Sequence, residues 1–119
     1  MRHVLRIAIP TLIAGVTFVA CATTAPTASP AAAKSAAVTI KGFAFSPATL
    51  TINKGTVVTF TNQDSTTHTV TSGTSRTKDG KFDQQISGGN EGTVTFDTVG
   101  TFAYFCQIHS TMAATVVVK

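Results

Sequence analysis

The chain has 119 residues, of which 43% are hydrophobic and only 12% are charged, against roughly a quarter charged in an average soluble protein. This length allows one domain and a targeting segment, and it excludes a multidomain enzyme. The formal net charge is +4, but from Val38 onward six basic residues face five acidic ones. A nucleic-acid-binding domain needs a basic stripe, so nucleic acid is not an expected partner.

The first 21 residues have the pattern of an export signal. Two arginines precede Ile7, and an uncharged, mostly apolar run extends from there to Ala20. A membrane-spanning helix needs about 20 apolar residues, whereas the core of a signal peptide is shorter. Residues 1–21 are therefore predicted to be a signal peptide.

Two processing routes are open at the end of this segment. The sequence Ala20-Cys21-Ala22 has the small-x-small form of ordinary signal cleavage, whereas Phe18-Val19-Ala20-Cys21 resembles a bacterial lipobox. In the second route, which we favour, a lipid on Cys21 tethers the mature protein to a membrane. Either route predicts an exported protein of the bacterial periplasm or cell envelope, where unpaired thiols tend to oxidise.

Residues 22–37 are predicted to be a linker, because they consist of Ala, Thr, Ser, Pro and one Lys, with no bulky apolar side chain. Residues 38–119 are predicted to form one all-β domain, a small Greek-key β-sandwich of seven or eight strands. Of these 82 residues, 31 are β-branched, and β-branched residues favour strands.

The strands are indicated by alternating apolar and polar residues between turns that contain Gly and Asn. In chain order they are predicted at residues 38–43, 48–52, 56–62, 68–72, 82–86, 93–97, 101–107 and 113–119, with the weakest pattern at 82–86. Mixed charges between residues 76 and 83 predict a solvated loop.

Residues able to bind a soft metal concentrate near the end of the domain. Cys106, His109 and Met112 form the sequence Cys-x-x-His-x-x-Met after a predicted strand, and His68 begins an earlier strand. Two imidazoles and a thiolate in a trigonal plane, with a weak axial thioether, are the ligands of a blue-copper electron-transfer site. Each residue alone has an ordinary explanation in a protein core, but together they predict a site for one copper ion that alternates between Cu(II) and Cu(I).

Three longer segments extend this pattern over the domain: GFAFSPATL at 42–50, KGTVVTFTNQD followed by HTV within 54–70, and GTFAYFCQIH at 100–109. They resemble the first hairpin, the approach to the first ligand and the aromatic strand before the ligand loop of the cupredoxins, the family of plastocyanin, pseudoazurin and amicyanin. The resemblance implies that His68, Cys106 and His109 are strong copper ligands and that Met112 is the axial one.

The resemblance also implies a monomeric electron carrier without substrate turnover of its own. The ring edge of His109 is then expected near the surface, in an apolar patch to which Ile108, Met112 and Ala113 contribute. Electrons would pass through this patch to redox partner proteins in weak, transient contacts.

The chain departs from the family pattern at two positions. Thr69 follows the first His, where many members have Asn, and Ser110 follows the second His, where amicyanin has Pro. Neither position is a ligand, so the departures concern the reduction potential and the rigidity of the ligand loop.

Other functions fit the sequence less well. A copper-buffering or delivery protein is the alternative, but such proteins commonly gather several Met or His, and this domain has one Met and two His. A metal-free structural β-sandwich is a third possibility. A multicopper oxidase needs His-x-His pairs, which the sequence lacks, and Ser110 beside His109 has no evident orienting acid for a hydrolase.

Overall fold

The computed structural model describes residues 34–119. The predicted signal peptide, the two processing routes at Cys21 and most of the predicted linker lie outside these residues. Within the described range no helix is long and apolar enough to cross a membrane.

The described part of the chain contains nine strands. They are β1 (Ser35–Ile40), β2 (Phe45–Ser46), β3 (Thr49–Ile52), β4 (Thr56–Asn62), β5 (His68–Thr74), β6 (Thr77–Ile86), β7 (Glu91–Phe96), β8 (Gly100–Phe105) and β9 (Ala113–Val118). One sheet has the order β2-β1-β4-β7 and the other the order β3-β9-β8-β5-β6. Two pairs, β1 with β4 and β3 with β9, are parallel, and the other pairs are antiparallel. The predicted all-β class is confirmed.

Alternation along the strands explains the core between the sheets. In β4 every second residue is buried, including Val58, Phe60 and Asn62, because successive side chains of a strand point to opposite faces. The buried Tyr104 ring packs against the rings of Phe45 and Phe60, with centroid distances of 4.8 and 5.6 Å. These contacts join the two sheets.

The domain begins earlier than its sequence pattern predicts. β1 starts at Ser35, ahead of Val38, and pairs in parallel with β4 from Val57 onward. Residues 35–37 have small side chains, so they carry no apolar signal, and backbone hydrogen bonding to β4 brings them into the sheet. The prediction that these residues belong to the linker is therefore wrong.

Two further expectations are corrected by the strand boundaries. Phe43, expected in the first strand, lies in the turn between β1 and β2, and β2 is too short to leave a periodic pattern. The charged segment 76–83, expected as a loop, is mostly part of β6. β6 is an edge strand, and charged side chains are characteristic of exposed edges because they oppose pairing with other chains.

The strand order brings four connections to one end of the sandwich. Parallel pairing of β1 with β4 places Ile40 beside Asn62, so the turn after β1 and the loop after β4 lie at the same end. β5 begins there with His68, and its antiparallel neighbour β8 ends there at Phe105. The loop 106–112 and the turn 87–90 complete this end of the molecule, which carries the candidate site.

Candidate metal centre

Three of the predicted ligand residues lie together at this end. The Nδ1 atoms of His68 and His109 are 3.0 Å apart, and Cys106 Sγ lies 3.9 Å from the first and 3.6 Å from the second. His68 and Cys106 are completely buried, and His109 is half-buried. Donor atoms that share one ion at bond lengths of about 2.0–2.3 Å lie roughly 3 to 4 Å apart, so this spacing fits a single metal ion.

The carboxylate of Asp64 fixes which nitrogen of His68 faces this cluster. His68 Nε2 lies 2.9 Å from Asp64 Oδ2. A carboxylate only accepts hydrogen bonds, so Nε2 carries a hydrogen and Nδ1 is the nitrogen that faces Cys106 and His109. Carboxylate–histidine pairs of this kind orient metal-binding imidazoles.

Asp64 is itself held by the turn between β1 and β2. Its Oδ1 accepts the N–H of Gly42 at 2.7 Å, and its Oδ2 accepts the N–H of Phe43 at 3.0 Å. The hydrogen bond from Phe43, then the one from Gly42, and then the contact with His68 hold the pKa of the Asp64 carboxyl below its usual value of 3.8. The carboxylate is therefore charged when it orients the imidazole.

The side chain of Asn62 shapes the loop that carries Asp64. Its oxygen accepts the N–H of Asp64 at 3.0 Å, and its nitrogen donates to the carbonyls of Thr66 at 2.8 Å and Ile86 at 3.0 Å. The buried amide thus joins both ends of the loop between β4 and β5 to β6. These hydrogen bonds fix the position of His68 at the start of β5.

The thiol of Cys106 lies in an environment that favours the thiolate. Burial acts to raise its pKa, but hydrogen bonds from the backbone N–H groups of Thr69, His109 and Ile108, together with the contact with the His68 side chain, outweigh burial and lower the pKa from 9.0 to about 6. The N–H of Thr69 lies 3.4 Å from Sγ. Because the thiolate is the form that binds metals, this environment prepares Cys106 as a ligand.

A polar clamp joins the two segments that carry the candidate ligands. The hydroxyl of Thr69 accepts the N–H of Gln107 at 2.8 Å, and the Gln107 amide donates to the Thr71 hydroxyl and to Asp83, each at 2.9 Å. Thr69, which departs from the family pattern, therefore makes a side-chain bond between β5 and the ligand loop. The sequence gives no signal for Gln107 or Asp83, because their partners lie on other strands.

The loop 106–112 closes on itself through its backbone. The N–H of Cys106 donates to the carbonyl of Met112 at 3.0 Å, and the N–H of Met112 donates to that of His109 at 3.3 Å. Met112 is buried within this loop, so the expectation that it contributes to a surface patch is wrong. Ile108 and Ala113 are exposed as expected.

Phe43 completes the surface around the site, a position that no sequence pattern indicates. Phe43 is 47% exposed, and its ring lies nearly perpendicular to both imidazoles, with centroid distances of 5.4 Å to His68 and 4.9 Å to His109. The position follows from the turn between β1 and β2, which no local pattern places beside His109.

Comparison with known proteins gives a consistent result. A family model described as a cupredoxin-like domain matches residues 11–118. Among solved structures, a purple cupredoxin from Nitrosopumilus maritimus is 26% identical with a TM-score of 0.65, covering 71% of this chain and 99% of its own. No curated protein sequence matches the chain.

Two other solved structures share the fold. The Cu(I) form of an amicyanin mutant is 24% identical with a TM-score of 0.65, covering 74% of this chain and 85% of that one. A copper-containing nitrite reductase from Thermus scotoductus is 26% identical with a TM-score of 0.62, but the match covers 70% of this chain and only 22% of the reductase. The chain therefore corresponds to a small part of that enzyme.

Proposed function

The chain belongs to the cupredoxin-like domain family, and on that premise we propose that it is a type 1 copper protein that carries single electrons between partner proteins in the bacterial cell envelope. His68, Cys106 and His109 would hold the copper ion, with Met112 as a weaker fourth ligand. The observation that carries the proposal is the convergence of two Nδ1 atoms and one Sγ atom at one buried point.

The donor set fits copper better than other common ions. Thiolate and imidazole donors suit copper and zinc, whereas magnesium and calcium prefer oxygen. The buried Met112 in the same loop favours copper over zinc, because zinc sites use Cys, His and carboxylate ligands and seldom a thioether. A bound copper ion supplies a one-electron couple between Cu(II) and Cu(I).

The role of the chain is to keep the donor atoms in one arrangement in both oxidation states. Asp64 holds the His68 ring, the Thr69 N–H holds the Cys106 sulfur, and the clamp between Thr69 and Gln107 fixes the ligand loop. Little of this framework has to move when an electron arrives or leaves, and small reorganisation favours fast electron transfer.

The half-buried His109 provides the proposed route for electrons to and from partners. The apolar side chains of Phe43 and Ile108 are exposed beside it, and the domain carries nearly balanced charge. An apolar contact without strong electrostatic steering favours short-lived docking.

The enclosure of the site distinguishes this function from its alternatives. With His68 and Cys106 fully buried, two of the three donor residues are not accessible to a substrate, which supports electron carriage without substrate turnover. The same enclosure supports retention of copper over its delivery.

The proposal also includes export, the lipid tether at Cys21 and the monomeric state.

The ligand assignment is tested by replacing each of the two cysteines. In the full chain loaded with Cu(II), Cys106→Ala is expected to abolish the intense visible band that arises from charge transfer between thiolate and copper. The matched control is Cys21→Ala, which removes the other cysteine and is expected to keep the band. A Cys106→Ala protein that retains the band would refute the assignment.

A further inference from the structure

Phe43 lies in a turn whose backbone conformation is unfavourable for a residue with a bulky side chain. Both Gly42 and Phe43 have φ of 60°, the left-handed conformation of a two-residue hairpin turn. Glycine adopts this conformation easily, whereas a bulky side chain does so at a cost. An aromatic residue at the second position of such a turn is therefore an outlier of the kind that accompanies functional sites.

The strained turn is held by the same carboxylate that orients His68. Asp64 accepts the N–H groups of both Gly42 and Phe43, so the negative charge compensates for the unfavourable backbone conformation. One side chain thus fixes the imidazole and the residue that lies over it.

The ring lies between the imidazoles and solvent. His68 is fully buried, whereas Phe43, which packs against it at a centroid distance of 5.4 Å, is 47% exposed. The same ring packs against His109 at 4.9 Å. Perpendicular aromatic pairs at these distances are attractive, so Phe43 restrains both imidazoles and covers them on their outer side.

We propose that Phe43 is a shielding and positioning residue: held over His68 and His109 by Asp64, its ring slows the exchange of copper with solution. This inference rests on the proposed function, because it assigns a role at the same copper site. It adds that retention of copper depends on a residue outside the ligand set. Phe43 binds no metal itself, so its removal leaves the site able to form.

The test compares the rate of copper loss from four full-chain proteins. Each is loaded with copper, reduced, and mixed with a chromogenic Cu(I) chelator in excess. Phe43→Gly removes the ring and relieves the backbone at a φ of 60°, so an accelerated loss cannot be attributed to added strain. Phe43→Tyr keeps the ring. The control is Val99→Ala, which shortens an apolar side chain that is 61% exposed. Val99 lies immediately before β8, on the order of 20 Å along the chain from Cys106.

Phe43→Gly is expected to lose Cu(I) roughly tenfold faster than the unaltered protein, since two perpendicular ring contacts are removed. Phe43→Tyr and Val99→Ala are expected to lose it at the unaltered rate. The inference is overturned if Phe43→Gly matches the unaltered protein, if Phe43→Tyr is as fast as Phe43→Gly, or if Phe43→Gly fails to form the visible band. Failure of the proposed function is a separate result, because the unaltered chain would then show no band.

Discussion

At the scale of single residues, the site depends on side chains that never touch the proposed metal. Asp64 selects the tautomer of His68, and the Thr69 hydroxyl accepts the N–H of Gln107 between the two ligand segments. Each of these groups is fixed by further hydrogen bonds. The donor atoms are therefore positioned by a polar layer around them and not by the ligand loop alone.

The contribution of the Thr69 hydroxyl is measurable with Thr69→Val, which keeps the shape and removes the acceptor. The Gln107 N–H then loses its partner, and we expect the free energy of unfolding to fall by about 1–3 kcal/mol. The visible band is expected to remain, because the Thr69 backbone N–H still donates to Cys106 Sγ. Chemical denaturation and the absorption spectrum provide the two measurements.

Thr61→Val is the matched control for this change. The Thr61 hydroxyl makes only a long, exposed hydrogen bond of 3.4 Å to Glu91, so its removal is expected to change the free energy of unfolding by less than about 0.5 kcal/mol. Equal losses in the two variants would contradict the role assigned to the Thr69 hydroxyl.

The sequence predicts the proposed ligand residues better than it predicts the residues that surround them. Cys106, His109 and Met112 stand close together in the chain, and His68 is the other histidine of the domain. Their types and spacing therefore suffice for a prediction. The contact of Asp64 with the N–H of Phe43 spans 21 residues, and it exists only because the turn after β1 and the loop after β4 meet at one end of the sandwich.

At the scale of elements, the turn between β6 and β7 supports the loop before His68. The N–H of Gly89 donates to the carbonyl of Asn62 at 3.0 Å. A Cβ added to Gly88 would lie 2.3 Å from the carbonyl oxygen of Ser65. The two backbones therefore approach so closely that only glycine fits at position 88.

Gly88→Ala is expected to destabilise the protein because the backbone at Ser65 must move. Overpacking of this kind costs about 1–3 kcal/mol in the free energy of unfolding. In the control, Gly92→Ala, the nearest atom is Oε1 of the Gln84 side chain at 2.6 Å, which rotates away more easily than a backbone moves. Urea denaturation measures the free energy of unfolding of both variants. If Gly92→Ala lowered this free energy as much as Gly88→Ala, close backbone contact would not be the cause of the loss.

The strands that could be predicted are those with a buried face. β4 and β9 alternate clearly, and their observed bounds agree closely with the predicted ones. β2 has two residues and leaves no periodic pattern, while β6 lies at a sheet edge with mostly exposed, charged side chains. Their pairing depends on backbone hydrogen bonds to neighbouring strands, which a pattern of apolar residues does not report.

At the scale of the whole molecule, one end of the sandwich is specialised and the rest supports it. The turn after β1, the loop after β4 and the ligand loop after β8 all meet there, and each contributes a side chain in contact with the proposed centre: Phe43, Asp64 and Cys106. The apolar surface around His109 lies at the same end. The proposed electron transfer requires this combination of a buried donor set and a nearby contact surface.

The most direct test of the copper assignment is a visible absorption spectrum of the full chain after addition of one equivalent of Cu(II), recorded before and after ascorbate and again after reoxidation. We predict an intense blue band that bleaches on reduction and returns on oxidation, since the proposed ligands His68, Cys106 and His109 would hold the ion in both states. The absence of a band, or a band that fades irreversibly as Cys106 is oxidised, would contradict it.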